Sequence, residues 1–237
     1  MTTSDRTQVA LVTGASRGLG RALTAELVRS GWHVVIDGRD GARLAETVDA
    51  LLLEAGTLTA VPGDVADPGH RRELADAVAD AGGLDLLVNN ASMLGPSPQP
   101  RLADYPLDVL EHVYAVNTIA PLGLTQLVLP LLEKRAGVIV DVTSDAAVEA
   151  YEGWGGYGSA KAALDQLTAI LAAEHPTLRV YAFDPGDMAT DLQQQAFPGE
   201  NISDRAAPET VVPALLALMG SDRPSGRYRV AELVPPP

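Results

Sequence analysis

Tyr157 and Lys161 stand four residues apart in GYGSAKAALDQLTAILAAE, and Ser144 closes the apolar run GVIVDVTS thirteen positions before the tyrosine. On a helix a four-residue step puts two side chains on one face, so the Lys161 ammonium can lie beside the Tyr157 phenol. An ordinary phenol titrates at roughly 10, and a neighbouring cation stabilises the phenolate, moving the group towards values useful for general acid–base work near neutrality. A hydroxyl, a phenol and an amine so disposed fit proton transfer at a carbonyl. The chain has only two lysines, Lys134 and Lys161, against fifteen arginines, so a lysine at this place departs from its own habit.

The elements that must position these groups follow from hydrophobic period. Short β-branched runs alternate with longer alanine- and leucine-rich stretches: QVALVT then RALTAELVRS, HVVID then ARLAETVDALLLEA, LTAV then HRRELADAVADA. The alternation continues through LDLLVNN, a long helical segment from about Leu107 to Leu132, GVIVDVTS, the Tyr157 helix and LRVYAFD. Strands separated by helices imply right-handed crossovers, and almost wholly apolar strands are those buried on both faces. The expected fold is therefore α/β, a Rossmann-like doubly wound parallel sheet flanked by helices on both faces. In such sheets ligands bind beyond the carboxyl ends of the strands. Thr13, Gly14, Asp64, Asn89, Asn90, Ser144 and Pro185 all fall there.

TGASRGLG sets Gly14, Gly18 and Gly20 between the first strand and the first helix, where absent side chains let a pyrophosphate approach the backbone and the helix N-terminus. Its strand–turn–helix context favours a dinucleotide. At the end of the second strand HVVIDGRD offers Asp37, an acid that would favour NAD through the ribose 2′-hydroxyl, and Arg39, a guanidinium that would match the 2′-phosphate of NADP. Arg17 adds a second cation inside the turn, and two cations at one pocket tilt the reading to NADP(H) over NAD(H).

At 237 residues the chain is the size of one large α/β domain, and no linker-like stretch divides it, so residues 1–237 read as a single domain. A net charge of −14 repels polyphosphate backbones, which argues against a nucleic-acid partner. There is no cysteine for disulfide or thiolate chemistry, and His33, His70, His112 and His175 are scattered without ligand spacing, so no metal site is expected. The start MTTSDRTQ lacks the pattern of a signal peptide, and no apolar stretch approaches the roughly 20 residues that span a bilayer. The expectation is a soluble cytoplasmic protein with no membrane partner.

Taken in order, TGASRGLG, the DV at Asp64, NNAS, Asn117, Ser144, the Tyr157–Lys161 pair and PGDMAT resemble the short-chain dehydrogenase/reductase family, in its compact single-domain branch, from about Gln8 to Thr190. The resemblance implies that Tyr157 is the catalytic acid or base and that Lys161 lowers its pKa while holding the nicotinamide ribose. It implies further that Ser144 polarises the substrate oxygen and that Asn117 holds a water linking Lys161 to solvent. By the same analogy the turn residues Gly14, Ser16, Arg17, Gly18, Leu19 and Gly20 line the pyrophosphate, and Arg39 reads the phosphate. Asp64 and Val65 would hold adenine, Asn89 and Ala91 would border the riboses, and Pro185, Gly186, Met188 and Thr190 would lie beside the carboxamide. NNAS departs from the family in carrying Ser92 where glycine is common.

The reaction implied is reversible hydride transfer between NADP(H) and a ketone or aldehyde. Met93, Leu94, Tyr151, Trp154, Met188, Leu192 and Phe197 would form an apolar wall for a fairly hydrophobic substrate, and the segment from about Met188 to Ile202 a lid. Related proteins pair their fourth helix and tyrosine helix across subunits, which implies a homodimer or homotetramer. The rival readings are an NAD-dependent alcohol dehydrogenase with the same groups, and a dinucleotide-binding sensor or scaffold without turnover.

Overall fold

The computed structural model describes residues 6–233; the first five residues of the polar MTTSDRTQ start lie outside the described residues. The chain begins in the middle of its sheet. From β1 (Val9–Val12) it passes through α1 (Gly18–Arg29) to β2 (His33–Gly38) and through α2 (Gly41–Leu51) to β3 (Thr57–Pro62) at one edge. It then returns along α3 (Pro68–Asp80) to β4 (Leu86–Asn89) on the other side of β1. From there α4 (Leu107–Tyr114) and α5 (Ala120–Glu133) lead to β5 (Val138–Val142), and α6 (Gly155–Glu174) leads to β6 (Arg179–Asp184). Finally α7 (Asp191–Ala196) and α8 (Pro208–Met219) precede β7 (Gly226–Arg229) and α9 (Val230–Leu233). The resulting order is β3-β2-β1-β4-β5-β6-β7 with every neighbouring pair parallel, the doubly wound sheet expected from the sequence. Its winding reverses between β1 and β4, which opens a crevice at their carboxyl ends.

Successive strand residues feed two cores. Ala10, Val12, Val34, Ile36, Val88 and Val140 pack under α1 and α8, whereas Val9, Leu11, Val35, Leu87, Ile139 and Val180 pack under α3 and α5. Burial on both faces leaves no place for polar alternation, and each fully buried leucine or valine contributes about 1.5–3 kcal/mol. Asp40 caps α2 by accepting from the Ala42 and Arg43 N–H groups at 3.1 and 3.2 Å. Asp67 caps α3 just ahead of Pro68, whose missing N–H costs nothing in a first turn.

Two elements differ from the sequence expectation. The long helix is continuous in direction but contains a π turn at Ala115–Ile119, between α4 and α5, and Asn117 sits inside it. The run Leu107–Glu133 also exceeds the expected limit on apolar length: it has 27 residues and a mean hydropathy of 1.5 over its most apolar window. By length and composition it could cross a bilayer, yet half of that window is buried, and Leu124, Val128 and Leu132 belong to the core beneath the sheet. The second difference is β7, which carries no apolar run. Its GRYR sequence forms an edge strand, and its pairing to β6 is carried by backbone hydrogen bonds.

Candidate active site

A cleft of about 1000 Å³ runs along the carboxyl ends of the strands from the glycine-rich turn to the Tyr157 helix. Gly14 and Gly18 have φ of +66° and +55°, a left-handed backbone that favours glycine. A Cβ on Gly14 would meet the Ala91 Cα at 2.8 Å, and one on Gly20 would meet the Asn90 Nδ2 and the Gly14 carbonyl at 2.5 Å. The turn is thus pressed onto the end of β4. Asn90 fastens it there, its Nδ2 donating to the Thr13 and Gly14 carbonyls at 2.8 and 3.1 Å. Thr13 Oγ1 answers by accepting from the Asn90 and Ala91 N–H groups, both at 3.0 Å. No side chain caps α1, so the N–H groups of its first turn are left for an anion in the cleft. A cradle without side chains over an uncapped helix start fits a dinucleotide pyrophosphate.

Of the sequence-derived cofactor residues, Gly14, Ser16, Arg17, Gly18, Leu19, Arg39, Asp64, Val65, Ala91, Pro185, Gly186, Met188 and Thr190 line this cleft. Gly20 lies behind the turn as packing. Asn89 lies under the floor, its Nδ2 donating to Asp141 Oδ1 at 2.7 Å. Asp37, the acid that would favour NAD, is buried: its Oδ1 accepts from the Gly14 N–H at 2.6 Å and its Oδ2 faces His70 Nε2 at 3.2 Å. The hydrogen bond to Asp37 holds the His70 pKa above its ordinary value. Arg39, two residues on, is exposed at the cleft.

At the opposite end stand the reacting groups. Ser144 follows β5 and caps a short turn, its Oγ accepting from the Ala146 N–H at 3.2 Å and donating to Asp145 Oδ1 at 3.0 Å. Tyr157 is buried in the first turn of α6, with its phenol facing the Ser92 and Ser144 hydroxyls. Lys161 lies one turn further, fully buried, donating from Nζ to the Val142 carbonyl at 2.7 Å and 5.7 Å from the centre of the Tyr157 ring. Arg227 of β7 braces the same floor, donating to the Ser144 carbonyl and to Asp184 Oδ2, both at 2.9 Å.

The charge states differ from those the spacing implies. Burial pushes the Tyr157 phenol up to about 12, and the Ser92 and Ser144 hydrogen bonds only partly offset it. Burial likewise brings Lys161 down to about 8 against the pull of Asp141 and Asp165. Four-residue spacing placed the amine near the ring; it gave no measure of how far both groups are withdrawn from water, and desolvation wins here.

Asn117 lies outside the cleft wall. Its Oδ1 accepts from the Met93 N–H at 2.8 Å and its Nδ2 donates to the Met93 carbonyl at 2.8 Å, with Ser92 Oγ donating to the same Oδ1 at 3.3 Å. The asparagine therefore holds the strand end that presents Ser92 to the phenol. Asn117→Ala leaves two inward-facing backbone groups unpaired and is expected to cost about 1–3 kcal/mol. Urea unfolding of the variant checks it.

Of the expected apolar wall, Trp154, Met188 and Leu192 line the cleft, whereas Met93, Leu94, Tyr151 and Phe197 do not. Trp154 packs edge-on to Tyr157 at 5.9 Å between ring centres and lies 6.0 Å from Phe197. Leu94 and Leu192 join Tyr157 and Trp154 in one cluster, and Met188 lines the cleft, while Met93 packs with Val65 and Val116. Tyr151 is more exposed and donates to Asp145 Oδ2 at 3.0 Å. Sequence reasoning missed Asp145, Arg43, Arg227 and Asp191. Each acts through a partner distant in sequence or through a loop without a motif, so no local pattern marked it.

A family model described as short chain dehydrogenase matches residues 8–201. The chain is 33% identical over 201 residues to a sepiapterin reductase of Mus musculus, covering 79% of this chain and 77% of the relative. It is 31% identical to a rhamnolipids biosynthesis 3-oxoacyl-[acyl-carrier-protein] reductase of Pseudomonas aeruginosa, covering 96% and 94% of the two chains. Among solved structures, a short chain dehydrogenase from Escherichia coli CFT073 complexed with NADPH superposes with a TM-score of 0.87 at 30% identity, over 94% of this chain and 96% of that one. With the parallel sheet, the glycine cradle and the buried Tyr157–Lys161 pair, these likenesses make the chain a member of the short-chain dehydrogenase family.

Proposed function

We propose that this protein is an NADP(H)-dependent oxidoreductase that reduces a ketone or aldehyde to an alcohol, with dinucleotide binding and catalysis in a single domain. The observation that carries the reading is that Ser144, Tyr157 and Lys161 share one cleft with the glycine cradle. Bound along that cleft, a nicotinamide dinucleotide supplies the hydride. The chain supplies position and polarisation. Ser144 turns its hydroxyl from Asp145 to the carbonyl oxygen. Tyr157 gives its proton to that oxygen as negative charge develops there. Lys161, cationic below about pH 8, stabilises the phenolate left behind. A phenol held at about 12 is protonated at neutral pH, so the free protein already carries the proton that carbonyl reduction consumes.

The phosphorylated cofactor is favoured because Asp37 is committed to Gly14 and His70, whereas Arg39 reaches the cleft with no ion pair among the described residues. Titrating NADPH and NADH by nucleotide fluorescence tests it. Arg39→Ala is expected to weaken NADPH roughly tenfold, the scale of one charge-assisted hydrogen bond, and to leave NADH unchanged. Equal loss for both nucleotides would count against a phosphate role.

Trp154, Met188 and Leu192 on the cleft lining support a fairly hydrophobic substrate. Exposed Ile119, Leu127 and Ile170 on the α5 and α6 sides support pairing with a second copy as dimer or tetramer, which light scattering reads directly. The acidic, cysteine-free composition is consistent with action in the cytoplasm.

A further inference from the structure

Two arginines at the cofactor end of the cleft are already holding an anion of the protein's own. Arg17, from the glycine-rich turn, and Arg43, from the first turn of α2, both donate to the same oxygen, Asp191 Oδ2, at 2.6 and 3.2 Å. Asp191 is the first residue of α7, separated from them by 174 and 148 positions, so the contact spans the mouth of the cleft. The pair of guanidinium groups holds the Asp191 carboxyl below its usual range, Arg17 contributing most. Two and six residues further along, Gln193 donates to Asp187 at 2.9 Å and Phe197 packs on Trp154.

We propose that Asp191 is an internal counter-anion competing for the cofactor 2′-phosphate, and that Arg43 joins Arg17 and Arg39 in reading that phosphate. Two guanidinium groups converging on one carboxylate oxygen make a site that a phosphate fills better, because it carries more charge and presents three acceptor oxygens where the carboxylate presents one engaged oxygen. While Asp191 is in place, only Arg39 of the three is free of an ion pair among the described residues. Phosphate binding releases Asp191 and with it the start of α7, whose next residue, Leu192, lines the cleft beside Trp154. NADH lacks the 2′-phosphate, and its pyrophosphate is taken up by the glycine cradle and the uncapped start of α1. Asp191 therefore sets how strongly the protein discriminates between the two nucleotides.

The inference rests on the proposed NADP(H) reading, and the test separates the two. NADPH and NADH are titrated into the intact wild-type protein and into Asp191→Asn and Arg43→Ala, with dissociation constants read by nucleotide fluorescence. Exposed ion pairs of this kind are each worth up to about fivefold, so Asp191→Asn is expected to tighten NADPH roughly three- to tenfold and to leave NADH within twofold. Arg43→Ala is expected to weaken NADPH by a similar factor without affecting NADH. If the wild type prefers NADPH but Asp191→Asn leaves it unchanged or weaker, the competition is overturned and the cofactor reading stands. If the wild type binds the two nucleotides equally, or binds neither, the cofactor reading fails and takes this inference with it.

Discussion

Tyr157→Phe is expected to fold, to bind NADPH as the wild type does, and to lose roughly 10²–10⁴-fold in turnover, the range for removing a positioned acid. The variant keeps everything the ring does for structure. Its edge contact with Trp154 and its packing against Leu94 and Ala146 need only the aromatic carbons. What goes is the one proton donor between Ser144 and the developing alkoxide. Stability is expected to change by about 1 kcal/mol or less, since the two serine hydroxyls that the phenol faces keep their own partners, Asn117 for Ser92 and Asp145 for Ser144. Reduction by the variant within tenfold of the wild type would remove Tyr157 from its role.

Lys161→Met separates chemistry from stability in the other direction. Turnover is expected to fall roughly 10²–10³-fold, the scale of losing one preorganised charge beside a developing anion. The fold, however, is expected to gain or hold stability at pH 7. Lys161 ordinarily titrates at 10.5 and here at about 8, so the unfolded chain keeps its proton through a window in which the folded protein has lost it. Stability therefore rises with pH from about 8 to 10.5, and below that window the protein carries the full cost of burying the charge, about 3 kcal/mol. Methionine removes that cost and leaves the Val142 carbonyl without a donor, a loss of about 1 kcal/mol. A melting temperature at pH 7 no lower than that of the wild type, together with the lost turnover, is the expected pair of results. The same charge is expected to give the wild type a reductive kcat/KM that is flat below about pH 8 and falls above it, while Tyr157, at about 12, stays protonated throughout.

The sequence made the sheet and the cleft legible wherever a residue's role depends on its neighbours in the chain. Apolar runs such as VALV and LLVN marked β1 and β4 because both faces of those strands are covered. TGASRGLG marked the cradle because left-handed φ and close approach both require glycine. Roles set by distant partners did not show. AVNTI reads as ordinary helix, and the π turn around Asn117 arises where the helix meets Met93 and α6, with Thr118 donating to the Ala160 carbonyl at 2.9 Å. β7 escaped because a charged edge strand carries no hydrophobic signature, although its Arg227 reaches the floor beneath Ser144. Asp37 could be read for type but not for direction, since only the fold shows that it turns inward to Gly14 and His70. The Tyr157 and Lys161 charge states depend on burial, which spacing does not encode.

The proposed reaction brings a protein proton and a nucleotide hydride together at one carbonyl in this cleft. Single-turnover mixing of the wild-type protein and NADPH with a panel of hydrophobic ketones and aldehydes, following nicotinamide absorbance and quantifying alcohol, tests it most directly. The expected result is NADPH oxidation matched one to one by alcohol for at least one carbonyl, and abolished in Tyr157→Phe. Tight NADPH binding with no oxidation against any member of the panel would contradict the account and leave a nucleotide-binding protein without turnover.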